Sequence, residues 1–227
     1  MPDINSKMIQ PSYLKNGDVV AIIAPAGVLK QNHEVIQKTK KVLENWGLTV
    51  DFGENIGKKV NHFAGSDKQR ASDFQWALDN DDIKAIWCAR GGYGCLRIID
   101  RLNFENFKKN PKWIVGYSDV TVLHSHLNKL GIASLHATMP INFKTNAKES
   151  LASLKNGLFG NENNILCGPH PFNKFGKVEA EVVGGNLSIL YSLLGSNSDV
   201  DTDGKILFIE DLDEYLYHID RMMMNLK

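Results

Sequence analysis

The 227-residue chain is 43% hydrophobic, with 26 basic and 26 acidic side chains, enough for one large α/β domain or two modest ones around a substantial core. A formal charge of zero leaves no long-range field for nucleic acid or an anionic membrane surface, and the densest basic cluster (Lys38, Lys40, Lys41) falls on a solvated helix face. The N-terminal stretch lacks the apolar core of a secretory signal, and no run approaches the ~18 residues of a membrane span. Three cysteines (Cys88, Cys95, Cys167) without CxxC spacing point to a reducing, cytoplasmic compartment.

In chain order, residues 19–24 read as a short buried strand ending in the sharp Pro25-Ala26-Gly27 loop. Val35, Ile36, Val42, Leu43 and Trp46 recur at helical spacing over 32–46, and Gly47 ends that helix. A second strand is expected over 48–52, then a helix over 67–79 with Phe74, Ala77 and Leu78 inward. A third strand (84–89) runs into Arg90-Gly91-Gly92-Tyr93-Gly94, and a short helix follows through Leu96, Ile98 and Ile99. Strand 113–116, helix 120–130 and strand 133–135 complete the first unit, 1–141.

Alternating apolar strands and amphipathic helices predict an α/β, flavodoxin- or Rossmann-like domain whose parallel sheet is covered on both faces. Ligands of such sheets bind beyond the carboxyl ends of the strands. The loops at 25–27, 90–94, 117–119 and 136–140 all belong to that edge. Residues 142–176 are rich in Asn, Lys, Gly and Pro and read as an interdomain linker. A second α/β unit over 177–227 is expected to hold strand 177–183, the Gly184-Gly185 break, helix 186–194, strand 205–209 and a helix from about Glu214. That helix has no cap before Lys227, so this unit reads as an incomplete C-terminal domain, with Met222, Met223 and Leu226 expected to be exposed.

Chemistry concentrates at Gly116-Tyr117-Ser118-Asp119-Val120, where a buried strand turns directly into a helix. That turn projects the Ser118 hydroxyl from the sheet edge and aims helix N-terminal amides beside it, so Asp119 N–H could receive an oxyanion, with Gly91 or Gly92 offering a second donor. Val120 departs from GxSxG, and Ser118 or Asp119 could equally cap the helix. His124 and His126 lie roughly 9 and 12 Å down the same helix from Ser118 at ~1.5 Å per residue and point apart, which suits packing rather than a base or a metal pair. His136 sits at the right edge for either a site or a structural role, and His218 pairs in sequence with Asp220 and Arg221. Glu210 ends an apolar strand and could orient a histidine, or belong to a helix-capping acidic cluster with Asp211, Asp213 and Glu214. The Gly-rich 90–94 loop has neither GxGxxG nor GK[ST] spacing, which weakens a nucleotide site, and Cys88 inside a strand is an inert thiol.

In one order, Gly17-Asp18-Val19-Val20 with Ala24-Pro25-Ala26, Ala89-Arg90-Gly91-Gly92-Tyr93-Gly94, Gly116-Tyr117-Ser118-Asp119, Val183-Gly184-Gly185-Asn186-Leu187 and Ile209-Glu210-Asp211 with Asp220-Arg221-Met222 resemble the LD-carboxypeptidase family of serine peptidases, which includes the microcin C immunity peptidases. The resemblance implies a Ser–His–Glu array with Ser118 as nucleophile, Glu210 as the acid, and oxyanion donors at Gly91, Gly92 and Asp119. Arg90 is a local candidate for the substrate carboxylate, with a structural role as the equal alternative. It implies cleavage before a C-terminal D-residue of cytoplasmic murein tetrapeptide, with a small muropeptide as partner, no metal or organic cofactor and a homodimeric assembly. The family's histidine lies further beyond the glutamate than this sequence reaches. The expectation is therefore a truncated, inactive form of the enzyme; the alternatives are a short version kept for muropeptide binding and an immunity-type peptidase acting on a peptidyl or aminoacyl nucleotide.

Overall fold

The architecture comes from a computed structural model that describes residues 8–29 and 32–227; residues 1–7 of the N-terminal stretch lie outside the described residues. Strands β1 (Val19–Ile23), β2 (Thr49–Phe52), β3 (Ile83–Cys88), β4 (Trp113–Gly116) and β5 (Leu135–His136) form one parallel sheet in the order β2-β1-β3-β4-β5. This is the doubly wound order that brings strand ends and their loops to one edge. Because side chains alternate across a strand, β1 sends Ala21 and Ile23 to one face and Val20 and Ile22 to the other.

Helices α1 (Asn32–Asn45), α2 (Asp67–Asp79), α3 (Glu105–Lys109) and α4 (Thr121–Lys129) cover the two faces. Phe74, Ala77 and Leu78 of α2 pack with Phe107 and with Leu123 and Leu127 of α4 on one side, as the spacing predicts for α2. Ile36 and Leu43 of α1 pack with Trp87 and Trp113 on the other. Full burial of side chains this size contributes roughly 1.5–3 kcal/mol each. Trp87 avoids a buried unsatisfied donor because its indole N–H donates to the Thr138 carbonyl at 2.9 Å. The helix expected after the glycine loop is instead two single turns of 3-10 helix, Cys95–Arg97 and Ile99–Arg101.

Within 142–176 the structure forms a helix that composition does not suggest, α5 (Lys148–Phe159), closed by Gly160 in the left-handed region. Its Leu154 and Leu158 are buried beside Trp113 and Phe143. Residues 161–181 form no helix or strand. β6 (Val182–Asn186) and β7 (Ile206–Glu210) then pair in parallel, with Asn186 opposite Glu210, and α6 (Leu187–Leu193) and α7 (Leu216–Leu226) follow them. The expected break at Gly184-Gly185 is strand, because both glycines serve close approach. A Cβ on Gly184 would stand 1.9 Å from the Phe208 carbonyl oxygen, and one on Gly185 2.4 Å from Thr121 Oγ1. Met222, expected to be exposed, is buried, while Leu212, Leu216 and Met224 are exposed. No helix among the described residues is long and apolar enough to cross a membrane.

The contact between Gly185 and Thr121 joins the second unit to the first. Gly185→Ala is expected to cost on the order of 2 kcal/mol through overpacking and a positive φ, read as a lower urea midpoint. Gly168→Ala, where the added methyl meets open space, should leave that midpoint unchanged.

Candidate functional site

At the carboxyl edge of β4 the chain makes a sharp elbow. Ser118 has φ of 61°, a left-handed conformation uncommon for a residue with a side chain and costly enough to persist only where the surroundings enforce it. The enforcement is visible. Val120 is fully buried against Gly116, where a Cβ would sit 2.8 Å from a Val120 methyl, so strand and helix can close on each other. Val120 therefore fills the place that a second glycine holds in GxSxG.

His124, one turn further on, is a structural histidine, as its position predicts. Its Nε2 lies 2.9 Å from the Gly116 carbonyl, which can only accept, so Nε2 carries the proton and Nδ1 accepts from Ser134 Oγ at 2.7 Å. Burial pushes its pKa down to about 4. His126 packs tilted against Phe104 with ring centres 4.8 Å apart, and its Nδ1 pairs with Ser198 Oγ. His136 stands beside Tyr117 and meets Phe208 of β7 edge-on at 5.0 Å. His218 pairs at 2.9 Å with Glu214, which precedes the N-cap of its helix, rather than with Asp220 or Arg221.

The glycine loop reaches the elbow. A Cβ on Gly91 would lie 3.2 Å from Ser118 Oγ, while the Gly91 carbonyl is held by Gly27 N–H at 3.0 Å. Arg90 folds back, its Nη1 donating to the Val28 carbonyl at 2.7 Å, so part of the guanidinium is committed to the neighbouring loop. Two buried side chains pin the rest. Asp119 Oδ2 accepts from Cys95 N–H at 2.8 Å, and Arg70 Nη1 donates to the Gly94 carbonyl at 2.8 Å and to Pro25. Burial raises the Asp119 pKa, and the Cys95 amide and thiol and the Arg70 charge oppose that rise. Cys88 and Cys95 are free thiols whose pKa burial drives up, which leaves them inert.

The second unit delivers Glu210. Asn186 N–H donates to Thr121 Oγ1 at 2.9 Å, fixing β6 against the helix that follows Ser118, and the β6–β7 register then carries Glu210 to the elbow. Burial raises the Glu210 pKa, opposed by hydrogen bonds from the Asn186 side chain and the Ser118 backbone N–H. Its Oε1 is buried without a hydrogen-bond partner. Asp211 serves the scaffold instead. Its carboxylate accepts from the Ser188 amide at 2.9 Å and from Asn186 Nδ2 at 3.1 Å, steadying the start of α6. No histidine among the described residues is hydrogen-bonded to Ser118 or Glu210.

Arg70 and Thr121 hold the elements of the site together, and the sequence does not single them out. Arg70 leaves a signal, since it precedes Phe74 and Ala77 at i−4 and i−7 and shares their inward stripe. Thr121 leaves none, because its partners are 64 and 65 residues away in the second unit.

Residues 20–137 match the LD-carboxypeptidase N-terminal domain, and residues 179–227 match the LD-carboxypeptidase C-terminal domain. The chain is 36% identical to a probable murein peptide carboxypeptidase of Bacillus subtilis over 100% of its own length and 72% of the relative's. It is 28% identical to the microcin C7 self-immunity protein MccF of Escherichia coli, over 99% of the chain and 75% of that protein. Among solved structures, the muramoyltetrapeptide carboxypeptidase from Oxalobacter formigenes superposes with a TM-score of 0.78 at 29% identity, over 92% of this chain and 70% of that one.

His124 protonates only at the expense of its buried bonds. Its folded pKa lies below the unfolded value of 6.5, so the unfolded state binds the proton first and stability falls as pH drops from 6.5 through about 4. The expected loss is about 3 kcal/mol, and unfolding midpoints for His124→Gln should vary less with pH across that window. Arg70→Met leaves Asp119 and two carbonyls without their buried cation and is expected to cost about 3–5 kcal/mol in urea unfolding.

Proposed function

Because the chain belongs to the LD-carboxypeptidase family, we propose that it is a serine carboxypeptidase site for the L,D peptide bond before the C-terminal D-residue of murein tetrapeptide. The observation that carries the reading is the meeting of a left-handed Ser118 at the sheet edge with the buried, unpartnered Oε1 of Glu210. Ser118 Oγ attacks the scissile carbonyl, and the amides of Gly91 or Gly92 and of Asp119 receive the oxyanion as it forms. Glu210 holds the Nδ1–H of a histidine, whose Nε2 takes the serine proton and returns it to the leaving amine; water then releases the acyl group. An unpartnered buried carboxylate oxygen costs about 1–3 kcal/mol or more, which fits an acceptor reserved for such a donor. Arg90 keeps the role of a candidate carboxylate ligand through the guanidinium nitrogens that Val28 does not use. The reaction as written uses no metal or organic cofactor, and cytoplasmic murein recycling and a homodimer belong to the same proposal.

The relation to MccF supports a second reading, an immunity-type peptidase acting on a peptidyl or aminoacyl nucleotide at the same serine. A muropeptide-binding module without turnover is the third.

Since no histidine among the described residues is bonded to Ser118 or Glu210, the 227-residue chain is expected to release D-alanine from murein tetrapeptide very slowly, a general base being worth roughly 10²–10⁴ in rate. Added imidazole should restore release and fluorophosphonate labelling in the parent chain and in neither Ser118→Ala nor, to the same extent, Glu210→Gln. Fast unaided turnover abolished by Ser118→Ala would locate a base within this chain, with His136→Gln the next variant. Tetrapeptide binding with neither turnover nor imidazole rescue would replace the peptidase reading by the binding module.

A further inference from the structure

Tyr93 is held in place while its ring stays open. The loop that carries it is fixed on both sides, by Gly27 N–H on the Gly91 carbonyl and by Arg70 and Asp119 on Gly94 and Cys95. Its hydroxyl lies near Arg97, which Asp67 grips with both carboxylate oxygens at 3.0 and 2.8 Å. The ring lies nearly parallel to His62, at 29° with centres 6.3 Å apart, and tilts on Phe63 at 5.8 Å. Phe63 in turn carries the guanidiniums of Arg70 and Arg97 at 4.8 and 5.3 Å. The His62 segment is anchored to the same edge, since Val28 N–H donates to the His62 carbonyl at 2.9 Å. Tyr93 nevertheless remains 44% exposed and His62 is exposed beside it. Immobilising two exposed aromatic rings beside a site lowers the ordering cost of binding a flat, weakly polar group there.

Resting on the murein tetrapeptide reading above, we propose that Tyr93 and His62 form a subsite for the sugar ring of a muramoyl group carried on the peptide's N-terminus. Position supports this occupant. Tyr93 is two residues beyond Gly91, which abuts Ser118, so its Cα lies within about 7.6 Å of the Gly91 Cα. The three residues of a tetrapeptide on the acyl side of the scissile bond extend about 10 Å. A chain whose last peptide bond sits at Ser118 can therefore bring its N-terminal substituent over Tyr93. The C–H face of a pyranose presents positive edges to the negative face of an aromatic ring. Asn61, Lys68 and Arg97 line an adjoining cavity and can meet hydroxyl and carboxyl groups at the rim.

Calorimetric titration of the chain with muramoyl-tetrapeptide and with the sugar-free tetrapeptide tests the subsite without requiring turnover. The parent chain should bind the muramoyl form about tenfold more tightly. Tyr93→Ala and His62→Ala, checked for an unchanged thermal midpoint, should collapse that ratio while affecting the sugar-free peptide far less, and Tyr93→Phe should retain most of it. Equal affinities in the parent chain, or a ratio that survives Tyr93→Ala, would overturn the subsite and leave the carboxypeptidase reading standing. Binding of neither peptide would overturn both. If aspartyl sulfamoyl adenosine binds instead and loses affinity in Tyr93→Ala, the face is a platform for a base and the sugar assignment is wrong.

Discussion

Thr121 Oγ1 accepts the Asn186 amide while Gly185 presses against the same side chain, and that contact sets β6 directly against the helix that follows Ser118. Thr121 stands three residues after Ser118, at the first turn of α4, so the unit carrying Glu210 is registered against the element carrying Ser118. Parallel pairing of β6 with β7 then leaves little freedom in where Glu210 arrives. A side chain at 185 would separate the two, which is why a glycine occupies a strand there.

The elbow is expensive in a way that its neighbours offset. Ser118 is held in a left-handed conformation, costing of order 1–3 kcal/mol, and two ionisable side chains, Arg70 and Asp119, lie in the adjacent interior. Arg70 satisfies two loop carbonyls and a carboxylate, and Asp119 receives the Cys95 amide, so the buried charges also tether the glycine loop. These groups tether the glycine loop whose Gly91 abuts Ser118. Such buried ionic groups are weak contributors to stability and more effective at holding one geometry.

Much of the fold is legible in the sequence because its signals are local and periodic. The five strands, α2 with its inward Phe74, Ala77 and Leu78, and the carboxyl-edge location of the loops all follow from apolar runs and helical spacing. Helix α5 is flanked by Asn-, Gly- and Pro-rich sequence and packs chiefly through Leu154 and Leu158, so the composition of the whole stretch masks it. The glycine pair at 184–185 reads as a break because its reason for being glycine lies in Phe208 and Thr121.

The sequence by itself determined the strand–turn–helix at Ser118, the glycine loop at 90–94, the acid ending the apolar strand at Glu210, and the family resemblance that links them. These depend on residue type and short spacing, which a chain displays before it folds. Only the tertiary structure decided that Gly91 abuts Ser118, that Arg90 turns back to Val28, and that Arg70 staples two loops. It also decided that a neutral His124 locks the Gly116 carbonyl and that Tyr93 and His62 stand side by side, both exposed. Each of those joins residues separated by turns of the sheet, and the distance between them is set by packing rather than by the order of the chain.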